Sequence, residues 1–280
     1  ISATNLASLA ESQIAALTNG QVAALSTAQV AGLNATNIGA LTTTQVGAMT
    51  ASQISALSTT AVSAFDSNQF GTLTATQVRA LTATQIGALN TGDIGDITTT
   101  QISALTNSQV TALTATNVGD LSETQIATFS TTQLQALTTT NLRSFADSQI
   151  AALTETQIAN LSATQVNTLT ATNVGALTSD QAAALTATQV GQLSAANVHA
   201  LADTQLAAMN ETQIKAFTAT QIAALDATDM SEFAATQVAA MTTTQIAALS
   251  NTNFAALADT QIEALTTTQL AAVSAAKIGR

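Results

Sequence analysis

Apolar residues recur along this chain at two fixed places in every eight. With slots counted from Ile1, slots 1 and 6 are apolar in all 35 octads, and the other slots are mostly Thr, Ser, Gln, Ala and Gly. The consensus is Leu-Thr-x-Thr-Gln-Ile/Val-x-Ala, unbroken by any insertion or deletion over residues 1–280. Slot 2 is Ser, Thr, Asn or Asp in 30 octads, and slot 5, three residues later, is Gln in 24. This spacing predicts a capping box: Thr106 accepts from the backbone N–H of Gln109, and the Gln109 side chain accepts from the N–H of Thr106. Slots 1 and 6 then take the two positions of a hydrophobic staple, as with Leu105 and Val110. Four of the five Ala caps (Ala10, Ala146, Ala202, Ala258) are followed by an acid, which favours a helix start through the dipole.

Each octad therefore predicts a helix of about six residues, ended by the next cap. A helix running on through the caps would overshoot two turns by about 80° per octad, so the apolar slots would form no seam. A β-solenoid is the alternative, but slots 8 and 1 place adjacent residues inward, against strand alternation. So short a helix does not persist alone in water. The fold expected is an all-α solenoid or superhelix of 35 very short capped helices, with residues 1–280 as one continuous domain.

A second period lies inside the first. Slot 5 departs from Gln at Asn5, Asn37, Ala61, Asp93, Asn117, Asn141, Asn173, Asn197, Asp229, Asn253 and Lys277, and the intervals are only ever three or four octads. They average about 27 residues, or 3.4 octads, which reads as one mark per superhelical turn. Seven of the ten octads after a mark carry Asp or Glu, against five of the other 25, so acidity follows the same phase. Marked octads also favour Gly in slot 7, at Gly39, Gly95, Gly119 and Gly175. Two readings compete: a lateral assembly face containing Asn37, Gly39, Asp93, Gly95, Asn117, Gly119, Asn141, Asn173, Gly175, Asn197, Asp229 and Asn253, or relief of crowding among the Gln side chains.

Composition narrows the functions. Charged residues are 8% of the chain, aromatics 2%, and Pro, Cys, Trp and Tyr are absent. A net charge of −11 opposes nucleic acid and anionic membrane surfaces as partners. No apolar run reaches membrane-span length, and Ile1, already in phase with the repeat, suggests a piece of a longer protein.

Candidate chemistry is sparse, so no enzymatic activity and no cofactor are expected. His199 is the only His and sits in the variable slot 7, which makes it a surface residue. Ser and Thr occupy capping slots with no base beside them. The densest acids, Asp93, Asp96, Asp120 and Glu123, offer oxygen ligands of the kind that hold Ca²⁺, with solvated charge as the competing reading. The Thr-x-Thr rows suggest an ice-binding surface as a further alternative, although capping engages the slot 2 hydroxyls.

The run Leu81-Thr82-Ala83-Thr84-Gln85-Ile86-Gly87-Ala88-Leu89, and its counterparts along the chain, resembles the octapeptide arrays of very large bacterial secreted or surface proteins of the adhesin-like kind. That resemblance implies a cell-surface or extracellular location. Together these readings lead to the expectation of a structural filament or adhesin stalk that self-associates laterally, its partners being other copies or adjacent segments of the parent chain. The alternatives are an isolated rigid spacer and a ligand-binding repeat surface.

Overall fold

In the computed structural model, residues 1–273 are described. They form 34 short α-helices, from α1 (Ala3–Ala7) to α34 (Thr267–Ala271), and no strand occurs among the described residues. The all-α solenoid is the fold, and the β-solenoid is excluded for this stretch. The chain divides into two compact units, Ile1–Ser144 and Phe145–Arg280, each built in the same way.

Each helix starts and stops for local reasons. At α14 (Asn107–Ala112), Thr106 Oγ1 accepts from the N–H of Gln109 at 3.3 Å, and Gln109 Oε1 accepts from the N–H of Thr106 at 2.7 Å. Two consecutive extended residues then end each of the longer helices without Pro or left-handed Gly. Before α8 (Thr59–Val62), for example, Leu57 has φ −60 and ψ 144, and Ser58 has φ −67 and ψ 159. No described residue has positive φ. The N–H of Leu57 donates to the carbonyl of Ile54 at 3.3 Å, a tight last turn that satisfies one of the terminal groups.

The Ala caps use a different device from the dipole alone. Where the hydroxyl is missing, the N–H of the third helical residue turns to the cap residue's own carbonyl. Gln13 donates to Ala10, Gln205 to Ala202, Gln237 to Ala234 and Gln261 to Ala258, all at 2.8 to 2.9 Å. Ala234 has no acid after it, so this 3₁₀-type bond, and not a charge, is common to these four of the five Ala caps.

Within each unit the helices in extensive contact are three apart in sequence, as α10 (Ala75–Ala80) is with α13 (Thr99–Ala104), and α28 (Ala219–Ala224) with α31 (Thr243–Ala248). From Val30 to Ile246, slot 6 is the innermost layer, at most 2% exposed, and slot 1 lies just outside it. From Asn37 to Gln269 slot 5 is buried too, although it is polar in every octad but that of Ala61. Slots 2, 3, 4 and 7 face mostly outward. Most octads thus contribute two large apolar side chains and one buried amide, a core that closes only when turns cover one another.

Candidate functional site

The buried amides are the structurally distinctive feature of the chain, because a buried polar group is costly unless its hydrogen bonds are made. Gln109 shows how they are made. While its Oε1 completes the capping box, its Nε2 donates to the carbonyls of Val78 and Leu81, both at 2.7 Å. Those carbonyls lie 31 and 28 residues earlier, at the end of a helix four octads back and in the link three octads back. The same register holds in Gln45 (Ile14, Leu17), Gln133 (Ile102, Leu105), Gln189 (Ile158, Leu161) and Gln245 (Ile214, Phe217). One side chain therefore starts its own helix and fastens it to the turn before. A turn contains between three and four octads, bracketing the 3.4 expected from the marks. No buried side-chain polar atom among the described residues is left unpartnered.

The marks lie in this ladder, not on the outer surface. Asn37, Asp93, Asn117, Asn141, Asn173, Asn197, Asp229 and Asn253 are all buried, between 2 and 6% exposed. Asn is one methylene shorter than Gln, and it makes the nearer bond: Asn117 donates to Leu89, Asn141 to Leu113, Asn173 to Phe145, Asn197 to Leu169 and Asn253 to Leu225, each 28 residues back. Lys277 lies outside the described residues. The glycines of the same octads do face outward, and they divide into two kinds. A Cβ at Gly39 or Gly95 would meet nothing within 4 Å, and one at Gly119 would stand 3.7 Å from the Ser144 carbonyl. At Gly175 it would come within 3.2 Å of the Ala200 carbonyl, so that glycine serves the packing of the next turn.

Two marks are carboxylates, and an ionised carboxylate has no proton to give a carbonyl. Each instead meets a donor from slot 7 of the octad 30 residues earlier. The Ser63 hydroxyl bonds Asp93, and His199 Nδ1 lies 3.3 Å from Asp229 Oδ2. Burial pushes the Asp93 carboxyl above the ordinary carboxylate range, bonds from Asn90 and Ser63 oppose this, and the nearby Asp96 adds to it. Asp226, the cap of α29 (Ala227–Glu232), is held below that range, chiefly by the N–H of Asp229.

An outcome follows for Asp93. With its folded pKa raised, its favourable contribution is complete below the ordinary carboxylate pKa and is lost as pH rises through the folded value. Asp93→Asn supplies a donor in register with the Phe65 carbonyl and removes a buried charge. It should stabilise the local turn by about 1 kcal/mol at neutral pH, the gain shrinking on acidification. Urea midpoints of both proteins at neutral and acidic pH measure it, and an unchanged difference between the two would contradict the assignment.

The four acids weighed as cation ligands differ in exposure and in their place on the helices. Asp93 is buried, Asp96 ends α12 (Thr91–Asp96) half-buried, Asp120 ends α15 (Ala115–Asp120), and Glu123 begins α16 (Glu123–Ala127), the last two exposed. Among the described residues, the His and acidic ligand atoms that gather in a group of three, all within 4.8 Å of one another, are those of His199, Asp226 and Asp229. Two of these carboxylates are already engaged: Asp226 Oδ1 accepts from Thr228 and Asp229, and Asp229 Oδ2 accepts from Asp226. His199, expected at the surface, has a side chain 56% exposed, yet it also spans two turns. The 30-residue offset shared with Ser63 and Asp93 is the signal that could have revealed this contact.

Comparison with curated proteins yields no match. The ALTTAQ repeat, whose six letters this chain approaches as Ala-Leu-Thr-Thr-Thr-Gln over residues 40–45, matches residues 14–51, 22–59, 62–96, 86–123 and 126–163. The first two matches are displaced by one octad, and together the five cover more than half of the chain. The chain therefore belongs to the ALTTAQ repeat family.

Proposed function

We propose that this array is a structural element, an extracellular filament or adhesin stalk of a bacterial cell surface that associates laterally with other copies or with adjacent segments of its parent chain. It is non-enzymatic and carries no cofactor. The observation that carries this reading is the amide ladder. Within each unit, nearly every octad spends its buried polar side chain on joining one turn to the next, so a pull on one turn is shared by hydrogen bonds and apolar contacts around the whole turn. The lateral contact is assigned to the outward slot 7 positions beside the marks. Gly39 and Gly95 have open space around them, so internal packing does not require the missing side chain, which favours an external use. Asn37, Asn117 and the other buried marks contribute from beneath, by setting the turn geometry.

The test exploits the tolerance of slot 7, which carries Arg79, Gln135 and Lys215 elsewhere. Gly39→Gln with Gly95→Gln should leave the helical signal unchanged and convert laterally bundled filaments into single ones under the electron microscope. Bundles of unaltered width would sink the lateral contact and leave the isolated rigid spacer.

A further inference from the structure

The octad at residues 225–232 departs from the rest of the array in charge. It holds Asp226, Asp229 and Glu232, three of the chain's 16 acids, whereas no other octad has more than two. Asp229 takes the ladder position, where Gln or Asn elsewhere donates to the carbonyl 28 residues back. Here that carbonyl belongs to Leu201, a residue only 3% exposed, and it receives no side-chain N–H. An acceptor thus stands where the ladder elsewhere places a donor, which leaves a buried carboxylate in register with a carbonyl and no hydrogen to share between them.

His199 ends α25 (Ala195–His199), four octads earlier in the same unit, Phe145–Arg280. The chain's single His therefore stands at one of the two slot 7 positions that meet a ladder carboxylate, Ser63 holding the other. Its Nδ1 lies 3.3 Å from Asp229 Oδ2, and ligand atoms of His199, Asp226 and Asp229, one from each, all lie within 4.8 Å of one another. A tetrahedral ion with metal–ligand bonds of about 2.0 to 2.1 Å holds its ligand atoms about 3.3 Å apart. The imidazole and Asp229 already stand at that separation, and the third ligand belongs to the exposed Asp226, whose side chain has room to adjust. Both carboxylates are held from behind: the N–H groups of Thr228 and Asp229 donate to Asp226 Oδ1 at 2.7 and 3.0 Å, and the N–H of Asp226 donates to Asp229 Oδ2 at 2.8 Å. Asp226 Oδ2 is left without a backbone bond, and Asp229 Oδ1 accepts none from a described residue. Hydrogen bonds that orient ligands in this way form the outer shell of a metal site.

We propose that His199, Asp226 and Asp229 bind one divalent transition-metal ion of the Zn²⁺ class, which clips the turn of α25 to that of α29. The imidazole selects the class: Ca²⁺ takes oxygen ligands, whereas one nitrogen with two carboxylates suits a transition ion. Binding replaces the contact between Nδ1 and Asp229 with a metal bond to each, and a proton held between them leaves to solvent. The charge of the ion offsets the repulsion between two carboxylates so close together. Exposure of His199 and Asp226 gives the ion a way in and leaves its remaining position open to water. The ion fastens two turns and takes part in no reaction. The site does not depend on the lateral contact proposed above.

The experiment titrates Zn²⁺ into the full, untagged chain by calorimetry after treatment with a chelator and dialysis. One ion should bind per chain. His199→Ala places in slot 7 a residue common there, and Asp229→Asn restores a donor toward the Leu201 carbonyl, so both should keep the helix content seen by circular dichroism. Each substitution should nevertheless weaken Zn²⁺ binding by more than about tenfold. Amide exchange in α25 and α29 should slow when Zn²⁺ is added to the unaltered chain, and should not respond in either variant. Failure of the unaltered chain to bind one ion, or undiminished binding by either variant, overturns the proposal. Tighter binding of Ca²⁺ than of Zn²⁺ overturns it as well, because an oxygen-only ligand set would leave His199 no part in the site.

Discussion

Gln109→Glu is expected to open the array locally at neutral pH, at a cost of about 3 to 5 kcal/mol, the range for an uncompensated buried charge. The change is nearly isosteric and keeps an acceptor for the N–H of Thr106. It replaces the amide that donates to Val78 and Leu81, both at 2.7 Å, with a carboxylate facing two carbonyl oxygens. Gln109→Leu should cost less, about 2 to 3 kcal/mol, by removing the cap acceptor and both donations without introducing a charge. Gln109→Asn should cost only about 1 kcal/mol, the net value of one hydrogen bond, because Asn117 and Asn141 keep the nearer donation in the same slot. Amide exchange in α10 and α14 reads the ranking. The Glu variant carries a further signature: its folded pKa is raised, so stability returns as pH falls through that value. Equal effects for Glu and Asn would show that the ladder contributes little.

Ile102→Ala should cost about 2 to 5 kcal/mol, the cavity range for a large buried aliphatic side chain. Ile102 is 0% exposed and is one of only two large apolar groups in its octad. The loss should stay local. Helices three apart pack on one another, so exchange should rise in α10, α13 and α16 and remain low in α1 and in α4 (Thr27–Ala31). Uniform acceleration along the whole unit would indicate global cooperativity in place of nearest-neighbour coupling.

The helix starts are legible in the octad because capping is a three-residue matter: Thr106 and Gln109 predict their own bonds. The ends are legible for the same reason, since the next cap follows at once. The second role of Gln109 is not visible locally, because its partners at Val78 and Leu81 become neighbours only once the turn is closed. The size of that turn was nevertheless written in the spacing of Asn117, Asn141 and Asn173, and it falls between the three- and four-octad steps that the amide bonds bridge. What the pattern does not reveal is the direction those side chains take. A once-per-turn polar residue suggests an outer face, whereas the shorter Asn side chain makes the same inward bond with less reach. The Ala caps show the converse: Asp203 looks like compensation for Ala202, yet the carbonyl of Ala202 does the work itself by accepting from Gln205 at 2.8 Å.

A turn of between three and four octads also lays the helices as a mason lays bricks in running bond. Each octad bridges the joint between two octads of the turn below, so no straight seam runs across the wall for a crack to follow. Gain or loss of one whole octad slides every later course by one brick and returns each amide to a carbonyl of the same kind, whereas a change of one to seven residues sets apolar slots against polar ones. Such arrays can therefore vary in length between related chains by multiples of eight residues while their walls remain intact.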